Sequence, residues 1–253
     1  QPTEVNSLAD DGPGSLRQAI IHSNNTFGRQ TITFNLPGVG DRLNVRQAVT
    51  LTPLSPLPAI TDPVTIDGFT QPGSRPNTLE VGSDAIVEVE IDGAGAAFDG
   101  LTVDSGEFLS LGTVIRGLRI TNFGGAGLRL RSALNVVSGC VITGNGEGIF
   151  VDGGRDNSIG KPTTFVGTSG EPSGNTPGDR NLISGNSGAG IRIAPRPVLP
   201  AAGNGIYGCY IGTDAQGTGA LPNGGGGIVI ASPRNRIGFR FLREGNVIAG
   251  NNG

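Results

Sequence analysis

The sequence predicts a single all-β domain, a right-handed parallel β-helix of about seven to eight coils with a short capping helix at its N-terminal end. A glycine-led phrase recurs through the second half of the chain, and apolar residues alternate with others within each copy. This alternation is typical of strands with one buried face. The interval from Gly127 to Gly148 is 21 residues, too short for a propeller blade or for a leucine-rich unit with a helix. Right-handed winding follows from the general rule for parallel crossovers.

Residues 1–30 predict an N-terminal cap. A short helix over Ser15–Ser23 would be capped by Ser15, with Gln18 three residues later as in a capping box. The first coil of a solenoid exposes an apolar end that needs a cover. The helical face that would provide this cover consists of Leu16, Ala19 and Ile20.

Residues 31–253 predict the coils, each with three very short strands. The first strands are expected at Thr31–Phe34, Val64–Gly68 and Val87–Gly93. Coils stack about 4.8 Å apart, so equivalent residues form columns. The predicted inward columns are Leu128/Ile149/Ile191/Ile228, Val137/Ile159/Ile206/Ile237 and Ile142/Ile183/Ile211/Ile248. Longer intervals between later copies indicate inserted loops near 161–180 and 213–226, on the outside of the solenoid.

Turn residues predict two further sets of columns. Every coil turns three times and is expected to need a positive φ at each turn, which accounts for the 45 glycines. Asparagine tolerates the left-handed conformation and bonds to nearby backbone. The two predicted asparagine ladders are Asn135/Asn157/Asn204/Asn235 and Asn145/Asn186/Asp214/Asn251. Cys140 and Cys209 occupy positions that asparagine fills in other coils, two coil steps apart, so we expect buried unpaired thiols.

Composition excludes several classes of function. The formal net charge is -3 and no basic cluster is present, so nucleic acid is not an expected partner. No apolar stretch is long enough to insert into a membrane. The single histidine, His22, excludes Ser-His and histidine-metal constellations. The absence of methionine predicts a processed or excised piece of a longer parent chain.

The candidate catalytic residues follow the strands of one predicted face. Asp104 and Asp152 flank Arg131, one coil away on each side. This pattern fits a surface ion-pair ladder. It also fits an acid pair around an arginine at the spacing of an inverting hydrolase. A lyase would need more carboxylates, holding Ca²⁺ beside a base, so no cofactor is expected and Ca²⁺ belongs only to that alternative.

The candidate ligand-binding residues point outward from the same strands. Arg129 and Arg192 lie on either side of Phe150, and together these residues suit an anionic sugar chain. A solvated face with no ligand is the alternative. Sugar platforms usually rely on tryptophan and tyrosine, and the chain has no tryptophan and two tyrosines.

Several phrases resemble one family. Ser15–Ile20 resembles the Ser-Leu-Arg-Glu/Gln-Ala-Ile signature that opens many secreted bacterial right-handed parallel β-helix repeat proteins, although Gly14 stands where one branch has cysteine. The other similar phrases are Ile60–Gly68, Thr70–Gly73, Tyr210–Asp214 and Gly217-Thr218. The resemblance spans nearly the whole chain. It implies an extracellular or cell-surface module of a longer protein and little about activity.

Two classes of function follow from these observations. The first is a non-catalytic surface module: a structural spacer, an adhesin or a self-associating unit, with a polysaccharide or cell-surface glycan as possible partner. The second is a carbohydrate-active enzyme, either a polysaccharide lyase or a glycoside hydrolase, that acts on an acidic polysaccharide. The thin polar clustering favours the first class. The final phrase, Asn246–Gly253, has no cap after it, so end-to-end self-association or further coils are expected there.

Overall fold

A computed structural model describes residues 2–38, 48–105, 112–160, 176–197, 199–238 and 245–252. Within these residues the chain forms three parallel β-sheets and one α-helix. The strands of sheet A, in spatial order, are β1 (Pro2–Val5), β2 (Gln30–Phe34), β4 (Val64–Asp67), β7 (Val114–Arg116), β10 (Val136–Ser138), β13 (Ser158–Ile159), β16 (Gly205–Ile206) and β19 (Arg236–Ile237).

Sheets B and C complete the walls of the solenoid. The strands of sheet B are β3 (Val49–Leu51), β5 (Val89–Asp92), β8 (Leu118–Thr121), β11 (Val141–Thr143), β14 (Leu182–Ser184), β17 (Tyr210–Ile211) and β20 (Val247–Ile248). The strands of sheet C are β6 (Leu101–Val103), β9 (Ala126–Leu130), β12 (Glu147–Asp152), β15 (Ile191–Ala194) and β18 (Ile228–Ile230). Two 3₁₀ turns lie at Gly68–Thr70 and Pro177–Asp179.

The chain visits the three sheets in turn, and each strand pairs with its counterpart from the previous circuit. The sequence β7, β8, β9 is followed by β10, β11, β12 in the same sheets, which is an all-β, solenoid-like arrangement. All three predicted inward columns are confirmed by the strand register. Their side chains are fully buried except in the last strands, so aliphatic contacts between coils form the core.

The predicted helix is present as α1 (Leu16–Asn24). Ser15 is its N-cap, and the Ser15 hydroxyl accepts a hydrogen bond from the Gln18 backbone N–H at 3.2 Å. The predicted apolar face is buried: Leu16, Ala19 and Ile20. The helix packs on β1 and β2. Strand β1, which pairs with β2, was not predicted, and neither were β3, β7 and β8.

The turns only partly follow the expectation of a glycine at each corner. After β10 the chain needs glycine, because Gly139 has φ of 62° and a Cβ there would lie 2.8 Å from the Gly178 carbonyl oxygen. The turn from sheet C to sheet A instead holds Leu134 and Arg234 at φ of 64° and 63°. The expected positive φ is present at this corner, but ordinary residues adopt it there instead of glycine, in a strained region of the backbone.

The two predicted insertions are described to different extents. Residues 161–175 lie outside the described residues, and residues 176–180 contain the second 3₁₀ turn. In the second insertion, Thr213 and Ala220 form an antiparallel bridge. Asp214 closes the loop between them by accepting hydrogen bonds from the backbone N–H groups of Thr218 and Gly219, both at 3.0 Å.

Candidate functional site

The outer face of sheet C carries both sets of candidate site residues. In the register of this sheet, Arg129 lies beside Phe150, and Phe150 lies beside Arg192. The predicted outward column is therefore correct. Arg131 directly follows β9, Asp152 is the last residue of β12, and both remain partly exposed.

Arg131 bridges the two candidate carboxylates. Its Nη1 lies 3.7 Å from Asp104 Oδ2, and its Nε lies 3.3 Å from Asp152 Oδ2. The guanidinium thus occupies the gap between the carboxylates, where an inverting hydrolase places its substrate and water. The arrangement matches the ion-pair ladder rather than an open acid pair.

Asp152 is the hub of a wider network. Besides Arg131, it contacts Arg129 Nη1 at 3.3 Å and Arg196 Nε at 3.3 Å. The sequence did not identify Arg196, because it lies two residues beyond β15 and outside the strand columns. Three guanidinium groups therefore contact this one carboxylate, so its oxygens already have charged partners within the chain.

The candidate ligand-binding arginines are also paired within the chain. Asp99 Oδ2 lies 2.5 Å from Arg129 Nε, and Asp99 Oδ1 lies 3.1 Å from Arg129 Nη2, which is a bidentate pair. Arg192 Nε pairs with a carboxylate oxygen of Glu147. Asp99 and Glu147 were missed, although each directly precedes the glycine that opens a sheet C phrase. That shared position is the sequence signal that would have found them.

The contacts of Arg129 on this face stabilise its positive charge. The hydrogen bond that Arg129 donates to Asp99 is the main cause that raises the pKa of Arg129, against the opposing effect of burial. The Arg129 guanidinium also lies 4.6 Å from the centre of the Phe150 ring. An arginine with a raised pKa is a poor general base, so Arg129 does not suit the proton-abstracting step of a lyase.

The asparagine ladders are present as chains of buried hydrogen bonds. In the first ladder, every Oδ1 after the first accepts from the backbone N–H and the side-chain amide of the asparagine one coil before it. Its members are Asn135, Asn157, Asn204 and Asn235. The second ladder runs through Asn145, Asn186, Asn223 and Asn251. The assignment of Asp214 to it is wrong, because that residue closes the loop of the inserted segment and Asn223 takes the ladder position.

The cysteines lie in a third column of the same kind. Cys140 N–H donates to Asn181 Oδ1, and Cys209 N–H donates to Asn246 Oδ1, both at 2.9 Å. Both thiols are buried and unpaired, as predicted. Burial raises the pKa of Cys140 to about 12 and that of Cys209 to about 11, so neither thiol is a nucleophile at neutral pH.

Residues of the family-like phrases hold the solenoid together. Arg17 donates to the carbonyls of Ser55 and Pro56 and pairs with Asp10 at 2.8 Å, which fixes α1 to a distant loop. Gln71 is 4% exposed and bonds both the N–H and the carbonyl of Leu36 through its side-chain amide. These residues of the family-like phrases therefore have structural contacts, and the phrases indicate a fold and not a reaction.

The described part of the chain contains neither a cluster of metal-ligating side chains nor a membrane-spanning helix. No group of three or more His, Cys, Asp or Glu side chains is placed there to hold a metal ion. No helix among those residues has the length and hydropathy to cross a membrane. The expectation that the protein uses no cofactor stays a prediction.

No model of a known protein family matches the chain, and no curated protein matches it. The resemblance to secreted bacterial β-helix repeat proteins therefore rests on the quoted phrases alone.

Proposed function

We propose that this chain is a non-catalytic β-helix module of an extracellular or cell-surface protein, serving as a structural spacer, an adhesin or a self-associating unit. The observation that carries the proposal is the internal pairing on sheet C. Arg129, Arg131 and Arg192 each contact a carboxylate of the chain itself. A glycan carboxylate would have to displace those partners, so this face suits coil-to-coil stabilisation better than turnover.

The finer architecture belongs to the same proposal. We infer right-handed winding and about seven to eight coils. The general handedness of parallel crossovers and the eight strands of sheet A and seven of sheet B among the described residues support this inference. The Ser-Leu-Arg-Gln-Ala-Ile phrase supports membership of the secreted bacterial repeat proteins, and with it an extracellular or cell-surface location.

An assay for polysaccharide cleavage tests the non-catalytic assignment. We expect no turnover of pectate, alginate or a neutral polysaccharide, with or without added Ca²⁺. Arg131→Ala tests the competing enzyme class, and Arg155→Ala is the matched control because Arg155 is exposed on a turn outside the sheet C network. Polyuronate turnover that Arg131→Ala abolishes and Arg155→Ala preserves would overturn the proposal in favour of a lyase or hydrolase.

Self-association is proposed at the edge formed by β18, β19 and β20. Ile230, Ile237 and Ile248 are 40%, 43% and 44% exposed there, whereas their column neighbours are mostly buried. An open strand edge with apolar side chains pairs readily with further strands. We propose that a second copy of the chain docks on this edge. Light scattering should show concentration-dependent assembly that Ile248→Lys reduces, and a wild-type monomer at millimolar concentration would contradict the docking.

A further inference from the structure

Three segments that break the coil repeat meet over sheet B. They are residues 68–88 between β4 and β5, residues 176–181 before β14, and the loop that begins at residue 212 after β17. Gly82 N–H donates to the Tyr210 hydroxyl at 2.9 Å, and the Asn77 side-chain amide donates to the Pro177 carbonyl at 3.1 Å. Insertions in solenoid proteins lie on one face, which is often the binding face. A ligand site is therefore expected where these segments converge.

The segments enclose a pocket of about 230 Å³. Val141 and Leu182, which point outward from sheet B, give it an apolar floor. Ser83 and Ala85 line it from the 68–88 connection. The volume is below the roughly 300–1,000 Å³ of drug-sized sites, so the pocket suits one small molecule or one residue of a polymer.

Arg119 places a positive charge at this pocket. Within the described residues, its side chain makes no hydrogen bond or ion pair, and no Asp or Glu is among the residues lining the pocket. Glu90 lies opposite Arg119 on β5. The carboxylate of Glu90 instead accepts hydrogen bonds from the hydroxyls of Thr50 and Thr121, both at 3.1 Å. Arg119 thus differs from the arginines of sheet C, each of which contacts a carboxylate.

Arg180 adds a second cation to the same pocket. Its guanidinium lies 4.5 Å from the centre of the Tyr210 ring, and its Nη atoms donate to backbone carbonyls, including those of Leu79 at 3.1 Å and Glu80 at 2.8 Å. These contacts orient the guanidinium but are made to neutral groups. The positive charge of Arg180 therefore adds to that of Arg119.

We propose that the pocket bounded by Arg119, Arg180, Val141 and Leu182 binds a small organic carboxylate, with the anionic group toward the arginines and the apolar part on the floor. Guanidinium groups recognise carboxylates through charge-assisted hydrogen bonds, and an apolar floor suits the ring of such a ligand. This site lies on sheet B and does not depend on the function proposed from sheet C.

Isothermal titration of the protein with two carboxylates and their neutral counterparts tests the proposal. Benzoate is paired with benzamide, and glucuronate with glucose, so the two arms separate a non-sugar acid from a sugar acid. We expect saturable binding of at least one carboxylate and at least tenfold weaker binding of its neutral counterpart. Arg119→Gln should weaken carboxylate binding about tenfold or more, the loss of one charge-assisted hydrogen bond.

Two further variants keep the test decisive. Arg155→Gln removes an exposed arginine away from the pocket and should bind as the wild type does. Ala85→Leu leaves every charge in place but fills part of the pocket, so it should abolish binding even if Arg119→Gln folds poorly. Equal affinity for benzoate and benzamide, unchanged binding in Ala85→Leu, or no saturable binding of either carboxylate up to 50-fold molar excess at about millimolar protein would each overturn the assignment.

Discussion

Asn157→Ala should destabilise the protein by about 3–5 kcal/mol, because the side chain joins three coils. Asn157 is 1% exposed, and its Oδ1 accepts from the backbone N–H of Asn135 at 2.9 Å and from the Asn135 side-chain amide at 2.8 Å. Its own amide donates to Asn204 Oδ1 at 2.9 Å. Truncation leaves the buried Asn135 N–H without this acceptor, which costs about 1–3 kcal/mol, and removes two further bonds worth about 1 kcal/mol each.

Urea unfolding followed by far-UV circular dichroism measures this loss from the shift in midpoint at constant slope. Asn157→Asp is the informative companion variant: it retains an acceptor for Asn135 but sets a carboxylate oxygen against Asn204 Oδ1. At pH 7 it should cost at least as much as alanine, because a buried carboxylate oxygen would face Asn204 Oδ1 with no donor between them. Asn252→Ala, at an exposed position, should change stability by no more than about 0.5 kcal/mol. A cost below about 1 kcal/mol for Asn157→Ala would refute the ladder as a source of stability.

Three other predictions concern thiols and the cap. Since the pKa values of Cys140 and Cys209 are raised to about 12 and 11 from about 9.0, the stability they contribute is complete below pH 9 and is lost as the pH rises through 11 to 12. Urea midpoints should show this alkaline loss in the wild type and a smaller loss in the Cys140→Ala/Cys209→Ala variant. Cys140→Asn should stabilise the fold by about 1 kcal/mol in the same assay, because an amide would replace the 3.8 Å contact of the thiol with the Ile115 carbonyl. Arg17→Ala should cost about 2 kcal/mol in thermal unfolding, and Arg17→Lys should recover only part of it, since an ammonium lacks the planar fork that reaches Asp10 and two carbonyls.

The inward columns could be predicted from the sequence because side-chain direction in a strand has a period of two. A register error of one residue would turn Ile191 or Ile228 toward solvent, so the alternation itself fixes the pairing. The helix over residues 16–24 could be predicted for a similar local reason, since Ser15 and the spacing of its apolar residues specify a start and a buried face.

The wrong and missing predictions concern residues whose position in the coil does not follow from their position in the sequence. Asp214 lies three residues after Ile211, as Asn186 lies three residues after Ile183, but the inserted loop shifts the ladder position to Asn223, before β18. Counting backward from β18 would have given Asn223. Strands β7 and β8 were missed because Gly117 alone separates them, although Gly117-Leu118-Arg119-Ile120 has the same glycine-led pattern as the sheet C phrases. The pairing of Arg129 with Asp99 depends on side-chain reach across coils, which strand periodicity does not encode.

Residues stacked in a column of the solenoid are poorly suited to bind a ligand, so a ligand site is better sought beside the inserted loops. Each column residue is in contact with its counterparts on both neighbouring coils, about 4.8 Å away, so a polar side chain finds its partner there. Asn157 finds Asn204 in this way, and Arg192 reaches Glu147, which lies off its own column on the adjacent strand β12. A charged residue that is available to bind a ligand must lack such a partner. Its charge then has no role in the contacts between coils. Arg119 meets this condition within the described residues, since Glu90 on one side is held by threonine hydroxyls and Val141 on the other is apolar. In a β-solenoid, a charge that the neighbouring coils leave unpaired is therefore a better guide to function than the density of charge on a face.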